Sequence, residues 1–211
     1  MTVKVKFCGI TNLEDAISAS DLGADALGFV FYSKSSRFIS PEKASEIIQE
    51  LPPFISTVGL FVNQSKLDVE EAIKTCPLNL LQFHGDEDEL FCNQFNFPYI
   101  KAISMKPDVN LLKCIDDFDS AKALLLDSYS EDTRGGSGMV FDWKSIPLNT
   151  PKPFIVAGGL NPNNVESLLE LIDLYGVDVS SGIESGKGLK DYQLMKDFIL
   201  GVKNAGVWFT R

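Results

Sequence analysis

The chain has 211 residues, enough for one domain with a full hydrophobic core, and its formal net charge is −10. An acidic chain lacks the basic surface that nucleic acids and anionic membranes require, so we expect neither as a partner. No apolar run approaches the ~18 residues of a membrane span, and residues 1–6 hold no apolar signal core, so we expect a cytoplasmic protein.

Short apolar runs alternate with amphipathic segments along the whole chain. The apolar runs predict eight strands, and the segments between them carry apolar residues at helical spacing. The predicted strands are residues 3–7, 26–31, 55–62, 78–83, 99–103, 121–126, 154–157 and 177–179. The predicted helices cover residues 12–23, 40–51, 69–76, 87–95, 109–115, 161–172 and 195–202.

This alternation predicts a parallel sheet covered by helices. Eight β/α units close naturally into a (β/α)8 TIM barrel, and we expect residues 1–211 to form that single domain. The alternative is an open, doubly wound sheet. Such a sheet usually carries a glycine-rich dinucleotide fingerprint after its first strand, whereas residues 8–12 read CGITN.

The active site of such a barrel forms at the carboxyl ends of the strands. Titratable or glycine-rich positions follow six of the eight predicted strands, so we expect them to converge on one face. They are Cys8, Arg37, His84, Asp127, Gly158, Gly159, Ser180, Ser181 and Gly182.

The loops after strands seven and eight form the usual phosphate site of this fold. Gly158 and Gly159 let the backbone approach a ligand closely, and Ser180, Ser181 and Gly182 offer hydroxyl and amide donors. A helix N-terminus nearby would add positive partial charge. We therefore predict a phosphate site here; the alternative is that these glycines only turn the chain.

The four cysteines form no CxxC pair, and the chain has one histidine. Neither a disulfide framework nor a zinc ligand set is predicted, so we expect free thiols and no metal. Cys76 falls on the apolar face of the third helix, and Cys92 and Cys114 show no site context.

Several short motifs occur in an order that resembles the phosphoribosylanthranilate isomerase family of tryptophan biosynthesis. The resemblance extends over residues 3–200, and no single motif decides it. The motifs are FCGIT at 7–11, ADALGFVF at 24–31, SRFISP at 36–41, QFHG at 82–85, LDS at 126–128, GGSG at 135–138, FDW at 141–143, GGL at 158–160 and VSSGIE at 179–184. One departure is Lys187, where the family often has proline.

The resemblance implies an Amadori rearrangement of N-(5-phosphoribosyl)anthranilate to its 1-deoxyribulose phosphate isomer. The reaction needs an acid to open the sugar ring and a base to take the proton from C2, with no cofactor. By resemblance Asp127 is the acid. It must then hold its proton more tightly than a free aspartic acid, which the leucines at 124–126 favour; the alternative is a cap of the following loop.

By the same resemblance Cys8 is the base. A free thiol has a pKa of ~8.5, so this role needs a nearby donor or cation; the alternative is an inert core cysteine. Arg37 matches the position that pairs with the anthranilate carboxylate, which suits its planar guanidinium. For His84 we expect a supporting role rather than direct proton transfer.

The glycine-rich stretch after strand six predicts a loop over the site, formed by Gly135, Gly136, Ser137 and Gly138, with Trp143 as its anchor. The expected partner is a small phosphorylated sugar, and the expected state is a monomer or homodimer. Two rival functions stay open: another phosphate-binding barrel isomerase or lyase, and a non-catalytic phosphate-binding scaffold.

Overall fold

A computed structural model describes residues 2–128 and 140–206. It contains a closed barrel of eight strands, in which each strand is parallel to its neighbours in chain order and the last pairs with the first. The predicted (β/α)8 architecture is confirmed. The strands are β1 (Lys4–Cys8), β2 (Ala26–Val30), β3 (Ser56–Phe61), β4 (Leu80–Phe83), β5 (Tyr99–Met105), β6 (Ala123–Ser128), β7 (Phe154–Val156) and β8 (Gly176–Val179).

Helices follow seven of these strands. They are α1 (Leu13–Leu22), α2 (Pro41–Gln49), α3 (Lys66–Thr75), α4 (Glu89–Asn93), α5 (Leu111–Asp117), α6 (Val165–Leu171) and α7 (Tyr192–Gly206). No helix is predicted after the sixth strand, and in residues 140–153 the connection from β6 to β7 holds only a short 3-10 turn, Trp143–Ser145. Within the described ranges, no helix is long and apolar enough to cross a membrane.

The helix ends follow the local sequence. The side chain of Asn12 accepts a hydrogen bond from the amide of Asp15, and Gly23 ends α1 with a left-handed φ of 100°. Ser40 caps α2, whose first residue is Pro41. These predicted boundaries are confirmed.

Several predicted boundaries are wrong, and for three of them the structure shows the cause. Helix α4 begins at Glu89 and not at Glu87, because the buried Glu87 carboxylate accepts the amides of Asn63 and Gly85 instead. Helix α6 begins at Val165, because residues 161–164 form a turn. Strand β6 runs to residue 128, because β5 continues alongside it.

The strands bury both faces, as the continuous apolar runs predict. Their outward side chains form the larger core against the helices, which is rich in phenylalanine. Inside the barrel a smaller apolar layer comes from Ile100, Ala102, Ala123, Leu125 and Ala157. Because successive side chains of a strand alternate between its two faces, the inward positions nearer the carboxyl ends of β1, β6 and β8 are Cys8, Asp127 and Asp178.

Candidate active site

A cavity of about 610 Å³ opens among the carboxyl ends of the strands. This volume is typical of a small-molecule site. Most of the residues that the sequence predicts for the site line this cavity. They are Cys8, Arg37, His84, Asp127, Gly158, Gly159, Ser180 and Ser181.

The predicted loop Gly135, Gly136, Ser137 and Gly138 lies outside the described residues. Trp143 is partly buried against the core that packs on the helices. All four cysteines are free thiols, as predicted, and Cys76 and Cys92 are buried away from the cavity. Across the described ranges, no group of three or more His, Cys, Asp or Glu side chains is arranged to hold a metal ion.

Asp127 and His84 form a hydrogen-bonded pair on one wall of the cavity. His84 Nε2 lies 2.9 Å from Asp127 Oδ2, and both side chains are largely buried. On the other side of the ring, Gln82 Nε2 lies 2.9 Å from His84 Nδ1. In this arrangement the amide donates to Nδ1, so a neutral imidazole carries its proton on Nε2 and donates to Asp127.

Cys8 lies at the end of β1, directly above a buried ion pair. Lys6, two residues earlier on the same strand face, places Nζ 2.9 Å from Asp178 Oδ1 of β8. Burial raises the pKa of the Cys8 thiol, against the opposing charge and hydrogen bond of Lys6. The predicted cation is therefore present beside Cys8, but the thiol form predominates at neutral pH.

Arg37 is held by a carboxylate that sequence reasoning missed. Its Nε and Nη2 donate to the two oxygens of Glu184 at 2.7 and 2.8 Å. Lys190 Nζ donates to the same carboxylate at 2.9 Å and to the backbone oxygen of Cys8 at 2.6 Å. Burial alone would raise the pKa of Glu184, but these two cations outweigh it and hold that pKa below its usual range. The network thus ties Arg37 to the strand that carries Cys8.

The backbone after β7 adopts a conformation that favours glycine at two successive positions. Gly158 and Gly159 have φ values of 77° and 68°, a region that favours glycine. A Cβ on Gly158 would also collide with Ser128 and with the Asp127 carboxylate. Asn164 Nδ2 donates to the oxygen of Gly159 at 3.0 Å and fixes this turn. The backbone of the loop can therefore approach both Asp127 and a ligand in the cavity.

The loop after β8 begins with Ser180 and Ser181, which line the cavity. Gly182 does not line it; a Cβ there would collide with the oxygen of Leu160, so this glycine lets the two loops pack together. The predicted helix N-terminus is a single 3-10 turn, Ser181–Ile183. The two loops pack together and form one wall of the cavity.

A short hairpin follows, made of β9 (Glu184–Gly186) and β10 (Leu189–Lys190). Lys187, the departure from the family pattern, lies between these strands and lines the cavity. Thr11 Oγ1 donates to the oxygen of Gly188 at 2.5 Å and holds the hairpin against the loop after β1.

Sequence reasoning missed several polar residues in and around the site. Lys6, Gln82 and Asp178 each interrupt an apolar strand at an inward position, which is a signal that the sequence contains. Glu184 and Lys190 pair across the hairpin, and Arg37 reaches Glu184 from a loop 147 positions earlier in the chain. No local pattern predicts that long-range contact.

Comparison with known proteins identifies the family. The family model described as N-(5'-phosphoribosyl)anthranilate (PRA) isomerase matches residues 5–200. The chain belongs to this family. A phosphoribosylanthranilate isomerase from Nitrosomonas europaea is 47% identical over 204 residues, which span 97% of each protein.

Solved isomerases of the family share the architecture. The crystal structure of phosphoribosyl anthranilate isomerase from Thermotoga maritima aligns with a TM-score of 0.88 at 39% identity, covering 96% of this chain and 99% of that one. A second isomerase structure, in complex with reduced 1-(o-carboxyphenylamino)-1-deoxyribulose 5-phosphate, aligns at 38% identity with a TM-score of 0.82 and the same coverage.

Proposed function

We propose that the chain catalyses the Amadori rearrangement of N-(5-phosphoribosyl)anthranilate to 1-(2-carboxyphenylamino)-1-deoxyribulose 5-phosphate, with Asp127 as general acid and Cys8 as general base. One observation carries the assignment. Both side chains line the same cavity, from strands β6 and β1, which are not adjacent in the barrel. A substrate between them meets an acid on one side and a base on the other.

Ring opening is assigned to Asp127. Its proton passes to the furanose ring oxygen, the bond from that oxygen to C1 breaks, and the nitrogen lone pair forms an iminium with C1. Asp127 needs a hydrogen-bond partner both when it carries this proton and after it has given the proton up. His84 serves in either state: its Nε2 donates to the carboxylate, and its other tautomer accepts from the acid.

Gln82 makes the second tautomer available. Its Oε1 is buried without a hydrogen-bond partner among the described residues. Turning the amide by 180° brings that oxygen to His84 Nδ1, where it accepts a hydrogen bond from the protonated Nδ1 of the second tautomer. The pair therefore offers Asp127 a hydrogen-bond partner in both its ionised and its protonated form.

Isomerisation is assigned to Cys8. Its thiolate removes the proton from C2, and the electrons of that bond neutralise the iminium to give an enaminol. The enaminol then loses its hydroxyl proton and gains one at C1, which yields the aminoketose. The thiolate is a minor form of Cys8 at neutral pH, but the adjacent iminium makes the C2 proton acidic.

The remaining contacts hold the two anionic ends of the substrate. Glu184 occupies Nε and one N–H of Nη2 of Arg37, so the rest of the guanidinium is free to bind the anthranilate carboxylate. The wall formed by Gly158, Gly159, Ser180 and Ser181 would bind the phosphate. No cofactor is needed, because the iminium is the electron sink.

An amino-acid biosynthetic enzyme with four free thiols fits the cytoplasm. The choice between monomer and homodimer stays a prediction.

The test of the acid–base assignment is the turnover of Cys8→Ala and Asp127→Asn. Removing a general acid or base commonly costs on the order of 10² to 10⁴ in rate. Cys92→Ala is the matched control, because Cys92 is equally buried but lies outside the cavity. We expect the control to keep the parent's turnover. A Cys8 or Asp127 variant that folds and works within a factor of about three of the parent removes that residue from the mechanism.

A further inference from the structure

The ion pair of Lys6 and Asp178 has no role in the mechanism above, although it occupies the barrel directly below the base. Lys6 and Asp178 face inward from neighbouring strands, and both side chains are nearly inaccessible to solvent. A charge in the middle of an apolar strand is costly unless it is paired. Two such charges beside a reactive thiol point to a function for that thiol.

Gly28 is the third part of this arrangement. It faces Cys8 in the register of β2 against β1. A Cβ built on Gly28 would lie 2.8 Å from Cys8 Sγ and 3.0 Å from Lys6 Nζ. The thiol and the ammonium therefore converge over one glycine, in a space that any other residue would fill.

We propose that Lys6 is a positioning residue for Cys8: its ammonium, fixed by Asp178, donates to the Cys8 sulfur and holds the thiolate that removes the C2 proton. Lys6 keeps its own proton throughout, and the ammonium touches the sulfur and not the substrate. The proposal rests on the proposed role of Cys8 as base and names what orients that base.

Electrostatics support this arrangement. Burial alone would lower the pKa of Lys6, but the charge and hydrogen bond of Asp178, together with the charge of Cys8, outweigh it and raise that pKa, so the ammonium stays charged. The other charged groups that act on Cys8 belong to one network: Lys190 binds its carbonyl, Arg37 lies within electrostatic range, and Glu184 bridges the two. Lys6 is the cation whose charge acts most strongly on the Cys8 thiol, and its ammonium lies with the sulfur over Gly28.

The test is the pH dependence of Cys8 alkylation by iodoacetamide in the resting enzyme, followed on the Cys8 peptide by mass spectrometry. Lys6→Met removes the cation and leaves Asp178 facing the sulfur, so the midpoint should move up by about one unit or more. Asp178→Asn removes the anion and leaves the ammonium to the sulfur alone, so the midpoint should move down. Opposite shifts are the signature, because a merely structural defect would not produce them.

Two further variants keep the test decisive if Lys6→Met does not fold. Gly28→Ala inserts a methyl group between sulfur and ammonium without changing any charge, and we expect an upward shift. Lys101→Met is the matched control: Lys101 is also buried and pairs with Glu87 at 3.1 Å, but it lies outside the cavity, so the midpoint should not move.

The pH profile of kcat/KM should move in parallel with the alkylation midpoint in each variant. Shifts of Lys6→Met or Gly28→Ala in the same direction as Asp178→Asn, or no shift in any of the three, would overturn the proposal. Alkylation needs no turnover, so this result is separate from the test of Cys8 as base. Failure of the base assignment would appear instead as full activity of Cys8→Ala.

Discussion

Replacing Glu184 by glutamine should weaken the fold and substrate binding together, because one carboxylate holds two cations. It receives two hydrogen bonds from Arg37, at 2.7 and 2.8 Å, and one from Lys190 at 2.9 Å. The Lys190 side chain has no exposed surface and that of Glu184 is 5% exposed. Glutamine keeps one acceptor oxygen but removes the charge, so Lys190 becomes a buried cation without a counter-ion.

The size of the effect follows from this burial. Breaking a buried ion pair from one side costs about 3 to 5 kcal/mol, and the retained acceptor places this variant near the lower value. For a domain of this length, 1 kcal/mol corresponds to about 2 to 4 °C, so the melting temperature should fall by about 6 to 12 °C. Arg37 also loses its two-point anchor. A loss of about 1.4 kcal/mol in carboxylate binding would raise KM roughly tenfold.

The assay combines a thermal melt with steady-state kinetics on the same preparation. Glu87→Gln is the matched control, because it also breaks a buried carboxylate–lysine pair, with Lys101, but does not contact Arg37. Both variants should melt earlier, and Glu184→Gln should show the larger rise in KM. An unchanged KM with a lowered melting temperature would mean that Glu184 does not position Arg37 for the substrate. An unchanged melting temperature would refute the energetic argument.

Three further predictions address binding and pH. Arg37→Ala should raise KM more than Cys8→Ala does, because a carboxylate contact acts in ground and transition states alike; an unchanged KM with lower turnover would place Arg37 in the chemical step. Gly159→Asp should bind a product analogue at least about 100-fold more weakly than Gly159→Asn does, as measured by calorimetry. Both residues tolerate a φ of 68° comparably, and only aspartate repels the phosphate. Equal affinities would place the phosphate elsewhere. The lowered pKa of Glu184 means that its stabilising effect is complete above its usual value of 4.5 and is lost as pH falls through the lower folded value. Melts of parent and Glu184→Gln should therefore converge as pH falls below 4.5; a constant gap would contradict this sign.

The architecture follows from local sequence patterns to an unusual degree. Continuous apolar runs predict strands buried on both faces, and each amphipathic segment after them predicts a covering helix. Where the prediction fails, a tertiary contact decides. Glu87 fits the start of a helix by its sequence, yet Lys101 and two backbone amides hold its carboxylate elsewhere. No local pattern contains that information.

The site divides in the same way. Cys8, Asp127 and His84 follow predicted strands, so the rule that barrel sites form at carboxyl ends brings them together. The charged residues that surround Arg37 do not follow from the strand pattern. Glu184 meets Arg37 across 147 positions of sequence, through barrel closure, and meets Lys190 across 6 positions, through a hairpin. Gly159 has a φ of 68°, which no local pattern reveals, so it is a turn residue as well as a candidate phosphate contact.

The most direct test of the proposed activity follows the fluorescent compound formed from anthranilate and phosphoribosyl pyrophosphate. The purified protein should consume it saturably, and the product should have the same mass as the substrate, because the reaction only rearranges atoms. Asp127→Asn should leave the fluorescence decaying at the spontaneous rate or close to it. Consumption no faster than the spontaneous rate by the folded parent, or a product of different mass, would contradict the assignment of this barrel as a phosphoribosylanthranilate isomerase.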